Sequence, residues 1–125
     1  AFNFGGGGKL IQAEWQGNTA GNGRDSFYFT AARSGVAIIA IASIEGSYFA
    51  PNITKNGEKI AEATHNGGNN FSSYGFSYYQ ATQYRGGFAT KAVYVKKGDQ
   101  IAVWGGTWGD DGRANTVTLN FFVAN

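Results

Sequence analysis

Short runs in which apolar and polar residues alternate with a period of two recur along the chain, and glycines separate them. Over residues 115–123, Val117, Leu119, Phe121 and Val123 share one face while Thr116, Thr118 and Asn120 share the other, the pattern of a strand with one buried side. The same alternation sets Val93 and Val95 against Tyr94, Ile101 and Val103 against Trp104, and Phe27 and Phe29 against Ser26, Tyr28 and Thr30. The pattern predicts strands near residues 9–15, 26–32, 36–44, 51–55, 58–63, 71–79, 88–96, 100–104 and 115–124. Strands this short at roughly ten-residue intervals predict an all-β protein, an antiparallel β-sandwich or barrel. Asn56-Gly57 predicts a two-residue hairpin turn between residues 53–55 and 58–60, because both central positions of such a turn need positive φ.

One stretch departs from the alternation. Residues 36–44 are apolar on both sides, so one side fills the sandwich and the other needs a second cover. Another subunit is one such cover; a loop, or an open face of small alanines, is the other reading.

Glycine occupies 20 of the 125 positions and clusters at Gly5–Gly8, Gly67-Gly68, Gly86-Gly87 and Gly105-Gly106, where it reads as loop punctuation. The length suits one domain, expected over residues 9–125, with residues 1–8 a Gly-rich linker or the lead-in to the first strand. Beginning at Ala1 without a leader-like pattern, the chain is expected to be a processed form or a piece of something longer. With 42% hydrophobic and 14% charged residues it has the material of a packed core. It has no cysteine, which removes disulfides, thiolate metal sites and a cysteine nucleophile. The formal net charge is +2, and among the basic residues only Lys96 and Lys97 are adjacent, so no phosphate-binding stripe is evident and a nucleic-acid partner is not expected. The longest apolar run, residues 36–42, is far short of the roughly 20 residues of a spanning helix, and membrane insertion is not expected.

The inventory for catalysis is thin. The single histidine, His65, precedes Asn66-Gly67-Gly68-Asn69-Asn70, a composition that predicts an exposed loop residue, and no motif positions Ser72 or Ser73 beside it. Asp110 and Asp111 are adjacent on one loop and cannot flank a glycosidic bond from two sides. They read as an Asp-Gly hairpin closing residues 101–104 onto 115–123, or as two oxygen donors toward Ca²⁺, which needs six to eight. Gly5–Gly8 before Lys9 lacks the Ser or Thr and the helix of a phosphate loop. No cofactor is expected beyond that Ca²⁺ reading.

The richest segment runs from 65 to 87, where Phe71, Tyr74, Phe76, Tyr78, Tyr79 and Tyr84 lie among Asn, Ser, Gly and Gln. Tyrosine offers a flat apolar ring with a hydroxyl, and amides both donate and accept, a mixture suited to a sugar ring or a protein epitope. Expected ligand contacts are Asn69, Asn70, Tyr74, Tyr79, Tyr84, Arg85 and Trp108. Alternate aromatics of the segment are equally expected to fill the core. Trp15 and Trp104 are expected in the core or at a subunit interface.

The order of motifs resembles the C1q and tumour-necrosis-factor-like jelly roll. Ala1-Phe2 resembles its opening; residues 25–36, with Asp25-Ser26-Phe27 and Ser34-Gly35-Val36, resemble its aromatic strand and the Gly-Val start of the next. Lys55-Asn56-Gly57-Glu58 is similar to its internal hairpin, Val93-Tyr94-Val95-Lys96-Lys97-Gly98-Asp99-Gln100-Ile101 to its strand, Lys-Gly-Asp turn and strand, and Phe121-Phe122-Val123 to its last strand. Residues 37–39 stand where paired aromatics are usual, and segment 64–87 has no counterpart. The resemblance implies a homotrimer with a central apolar seam, expected here from Val36, Ile38, Ile39, Ile41 and Trp104, and recognition of a partner without catalysis. Such domains also form the tips of bacteriophage and viral fibres. The expected function is a non-enzymatic recognition or attachment domain, extracellular, on a cell surface or on a virion, contacting a glycan or protein receptor. The alternatives are a structural trimerisation cap and a carbohydrate-binding module of an enzyme.

Overall fold

The computed structural model of the chain describes residues 10–18, 26–45, 49–82, 85–105 and 114–123. They form ten strands: β1 (Leu10–Asn18), β2 (Ser26–Thr30), β3 (Gly35–Glu45), β4 (Pro51–Lys55), β5 (Glu58–His65), β6 (Phe71–Tyr74), β7 (Ser77–Gln80), β8 (Arg85–Val95), β9 (Gln100–Gly105) and β10 (Ala114–Val123). They pair antiparallel into two five-stranded sheets, ordered β1-β10-β3-β8-β7 and β2-β9-β4-β5-β6. The fold is the expected all-β antiparallel sandwich with jelly-roll strand order.

Two local expectations are corrected. Residues 71–79 are two strands in different sheets: β6 pairs with β5 and β7 with β8. The change of sheet occurs at Gly75, whose φ of +80° suits a residue without Cβ; a Cβ there would press on the carbonyl of Ile60 and the backbone of Ala61. Nor are β9 and β10 the arms of a hairpin. β9 lies between β2 and β4, and β10 between β1 and β3, so the intervening segment joins the two sheets.

The alternation decides which sides meet. Ala37, Ile39 and Ile41 of β3, Val117, Leu119 and Phe121 of β10, and Ala89, Val93 and Val95 of β8 form one inner wall, facing Phe27, Ile53, Ile101 and Val103 of the other sheet. Burying each large aliphatic or aromatic side chain contributes roughly 1.5–3 kcal/mol. Phe29 and Phe121 join the sheets, their ring centroids 5.2 Å apart.

At one end, here the turn end, β4 passes to β5 and β8 to β9. Asn56 (φ +53°) and Gly57 (φ +83°) make the expected hairpin turn. Asn56 N–H donates to the carbonyl of Gln100 at 2.8 Å, and its Oδ1 accepts from Gln100 N–H at 2.9 Å. Ala31 N–H donates to the Asp99 carbonyl at 2.9 Å and Gly98 N–H to the Ala31 carbonyl at 2.7 Å. Three connections distant in sequence thus become one stitched surface. It gathers Arg33, Lys55, Lys96 and Lys97, basic residues that look scattered along the chain, beside Glu58 and Asp99.

The opposite end, the loop end, is plugged by Phe49. Its buried ring stacks on Tyr78, with centroids 5.7 Å apart and planes 11° apart, and the Tyr78 hydroxyl lies 3.3 Å from the Phe49 carbonyl. Phe49 occupies the space a Cβ on Gly87 would need.

Candidate functional site

The aromatic segment does not form one surface. Tyr74 pairs with Glu62 and points outward from the second sheet, whereas Tyr79 pairs with Phe88 and points outward from the first. The two rings, 62% and 65% exposed, therefore lie on opposite faces of the sandwich. Lys91 Nζ donates to the Gly75 carbonyl at 3.1 Å, and Phe76 packs against the core, so the crossing between them is anchored.

Asn69 and Asn70 sit exposed in the loop joining β5 to β6, at the loop end. The loop is held from within: Asn66 N–H donates to the Asn70 carbonyl at 2.8 Å, Asn70 N–H to the Gly67 carbonyl at 3.0 Å, and Asn66 Nδ2 to Ser72 Oγ at 2.9 Å. His65, expected as a free loop residue, instead ends β5, half-buried against Phe71, with ring centroids 5.1 Å apart and Nε2 2.7 Å from the Gly68 carbonyl. Its ring braces the loop that carries Asn69 and Asn70. Arg85, exposed, opens β8 at the same end, and its N–H donates to the Thr82 carbonyl at 3.3 Å. Tyr84, Trp108, Asp110 and Asp111 lie outside the described residues. Among the described residues no group of three or more His, Asp or Glu could hold a metal ion.

The outer face of the first sheet is the other candidate surface. Its register builds four rows across the strands. From the turn end, the first row is Phe122, Val36 and Tyr94, and the second Asn120, Ile38 and Ala92. The third is Thr118, Ala40, Thr90 and Ser77, and the fourth, nearest the loops, Thr116, Ala42, Phe88 and Tyr79. None of these side chains is charged. The turn-end half is apolar apart from Asn120, and the loop-end half combines two exposed rings with hydroxyls over a floor of alanines.

This arrangement divides the residues expected in a subunit seam. Val36 and Ile38 belong to the outer face, and Ile38 is 38% exposed. Ile39 and Ile41 are corrected: at 0% and 2% exposure they fill the chain's own core, because successive residues of a strand point to opposite sides. The backbone of Trp104 belongs to β9 in the second sheet, paired with Ser26 and Asn52, a different sheet from that of Val36 and Ile38.

Phe88, 48% exposed, Tyr94, also 48%, and Phe122 were not among the expected surface contacts. Their signal is in the alternation: Ala89, Val93 and Val95 face inward, which turns Phe88 and Tyr94 outward.

No known protein family matches the chain, and no curated protein matches it. Among solved structures, the chain is similar to the native structure of a family 35 carbohydrate binding module from Clostridium thermocellum, with a TM-score of 0.45 and 14% sequence identity over 92% of each chain. That likeness is too distant to carry an argument about this chain's ligand or partners.

Proposed function

We propose that this chain is a non-enzymatic recognition or attachment module, working outside the cell or on a virion, that contacts a cell-surface glycan or receptor with aromatic and amide side chains at its loop end. The observation that carries this reading is the segregation of the two ends. Leu10 pairs with Phe122 and Gly35 with Val123 at the turn end, so β1 begins and β10 finishes there. Asn69, Asn70, Tyr79 and Arg85 all lie toward the other end. Anything joined to the chain at the turn end leaves these side chains facing away from it.

The test is binding of the full chain to a glycan panel and to intact cells, repeated with Tyr79→Ala, Arg85→Ala, Trp108→Ala and the double variant Asn69→Ala/Asn70→Ala. Loss of binding in at least one variant with unchanged thermal stability supports the proposal. No binding to any glycan or cell, or wild-type binding by every variant, overturns it.

A second reading rests on the apolar turn-end half of the outer face. Val36, Ile38, Tyr94 and Phe122 form a continuous uncharged patch of a kind that marks interaction surfaces, which favours assembly into a homotrimer. Light scattering at micromolar concentration decides it: a trimer supports the assembly and a stable monomer removes it.

A further inference from the structure

We propose that the loop-end half of the first sheet's outer face is a saccharide subsite that takes a neutral sugar ring, a proposal that rests on the recognition reading and names its ligand class. Tyr79 and Phe88 occupy directly paired positions on β7 and β8 and are 65% and 48% exposed. Cross-strand partners lie about 5 Å apart, so the two rings are near enough to form one apolar floor. Ala42, the partner of Phe88 on β3, and Ala40 keep the neighbouring strand low.

Around that floor are hydroxyls. Thr90 and Ser77 flank the rings one row toward the middle of the sheet, and Thr116 and Thr118 stand beyond the alanines on β10. Among the described residues, none of these four hydroxyls has a hydrogen-bond partner within the chain. A hydroxyl both donates and accepts, as a sugar hydroxyl does, so each can answer the other in either sense. With strands about 4.8 Å apart and alternate residues about 6.8 Å apart along a strand, the two rows span roughly 14 Å by 7 Å, room for a pyranose ring lying flat.

The absence of basic groups selects among ligands. No side chain in the rows on β10, β3, β8 and β7 carries charge, and the ionisable position that β1 adds beside them, Glu14 paired with Thr118, is acidic, so the face offers no cationic partner to a sulfate, phosphate or carboxylate, and a neutral sugar is favoured over an acidic one. The apolar half, without hydroxyl-bearing threonines, is the part suited to a second copy of the chain.

The experiment titrates the full chain with soluble neutral polysaccharides (β-glucan, mannan, galactan) and with sialylated and sulfated glycans, at 50 and 500 mM NaCl. It is repeated with Phe88→Ala, Tyr79→Ala and Thr90→Val, with Tyr28→Ala on the opposite sheet as control and a thermal melt of every variant. The expected result is binding to a neutral glycan that is unchanged by salt, weakened about tenfold or more by each aromatic truncation and severalfold by Thr90→Val, with Tyr28→Ala at wild-type affinity. Binding confined to acidic glycans, binding lost at high salt, or wild-type affinity in Phe88→Ala overturns the subsite. If the aromatic variants bind normally while Arg85→Ala or Asn69→Ala/Asn70→Ala does not, the subsite fails and the recognition reading survives. If no glycan and no cell is bound, both fail. A change of oligomeric state in Phe88→Ala without loss of any ligand assigns this half to self-association and overturns the proposal as well.

Discussion

Asn56 Nδ2 donates to Asp99 Oδ1 at 3.0 Å across 43 positions of sequence, and through that bond the β4–β5 hairpin holds the β8–β9 turn. Asp99 Oδ2 also accepts the backbone N–H of Lys96 at 2.9 Å. The backbone bond from Lys96, then the Asn56 amide, with the charges of Lys55 and Lys96 assisting, hold the Asp99 carboxyl below its usual range. Asn56→Ala removes two side-chain hydrogen bonds and places a Cβ-bearing residue without side-chain support at positive φ. It is expected to destabilise the fold by about 1–3 kcal/mol, measured by chemical denaturation. Asn56→Gly, which relieves the backbone, is expected to lose less.

The Asp99 contact gives stability a defined pH dependence. A carboxyl whose pKa is lower folded than unfolded stabilises the fold fully above its unfolded value, near 3.9, and that contribution disappears as pH falls through the folded value. Asp99→Ala is therefore expected to lower the melting temperature by a constant amount from pH 8 down to about pH 5. Below about pH 4 the gap to wild type should shrink. Thermal melts of both proteins across that range check it, and a gap that widens on acidification would refute it.

The two sides of β3 should respond oppositely to truncation. Ile39→Ala opens a cavity in the core and is expected to cost about 2–5 kcal/mol. Ile38→Ala, one position away on the outer face, is expected to change the stability of the monomer by less than about 1 kcal/mol. Urea titrations of the two variants at low protein concentration make the comparison.

Gly87 and Phe49 are coupled sterically. Gly87→Ala should displace the Phe49 ring from its stack on Tyr78 and cost roughly 1–3 kcal/mol. Combining it with Phe49→Leu should cost less than the sum of the single changes. A double-mutant cycle in denaturant measures the coupling, and strict additivity would contradict the proposed packing.

Much of this architecture can be read from period-two alternation, because each strand has one wet and one dry side. Val117, Leu119, Phe121 and Val123 announce β10, and Asn56-Gly57 announces its turn through a purely local requirement for positive φ. What the pattern hides is partnership between distant strands. Asp-Gly after Trp108 looks like a hairpin, yet β3 intervenes as the neighbour of β10, a preference set by the inner wall of Ile39, Ile41 and Leu119. The alternation through Tyr74, Phe76 and Tyr78 continues without a break, although the chain changes sheets at Gly75, where the close approach of Ile60 and Ala61 leaves no room for a Cβ. That alternation groups Tyr74 with Phe76 and Tyr78 on one side of a single strand, whereas the crossing turns Tyr74 outward from the second sheet and Tyr79 outward from the first. The pairing of Phe88 with Tyr79 depends on β7 lying beside β8, a contact that the alternation does not encode.

The insertion of β10 between β1 and β3 bears on how the protein is made. During synthesis β1 emerges first and β3 soon after, yet the strand that binds both appears only after all the others. Until then β1 lacks its neighbour and the hydrocarbon of β3 is covered on one flank alone, so closure of the first sheet depends on contacts between the most distant parts of the fold. Such topologies fold slowly, and a chain cut short before Ala114 would expose a sticky, half-built sheet.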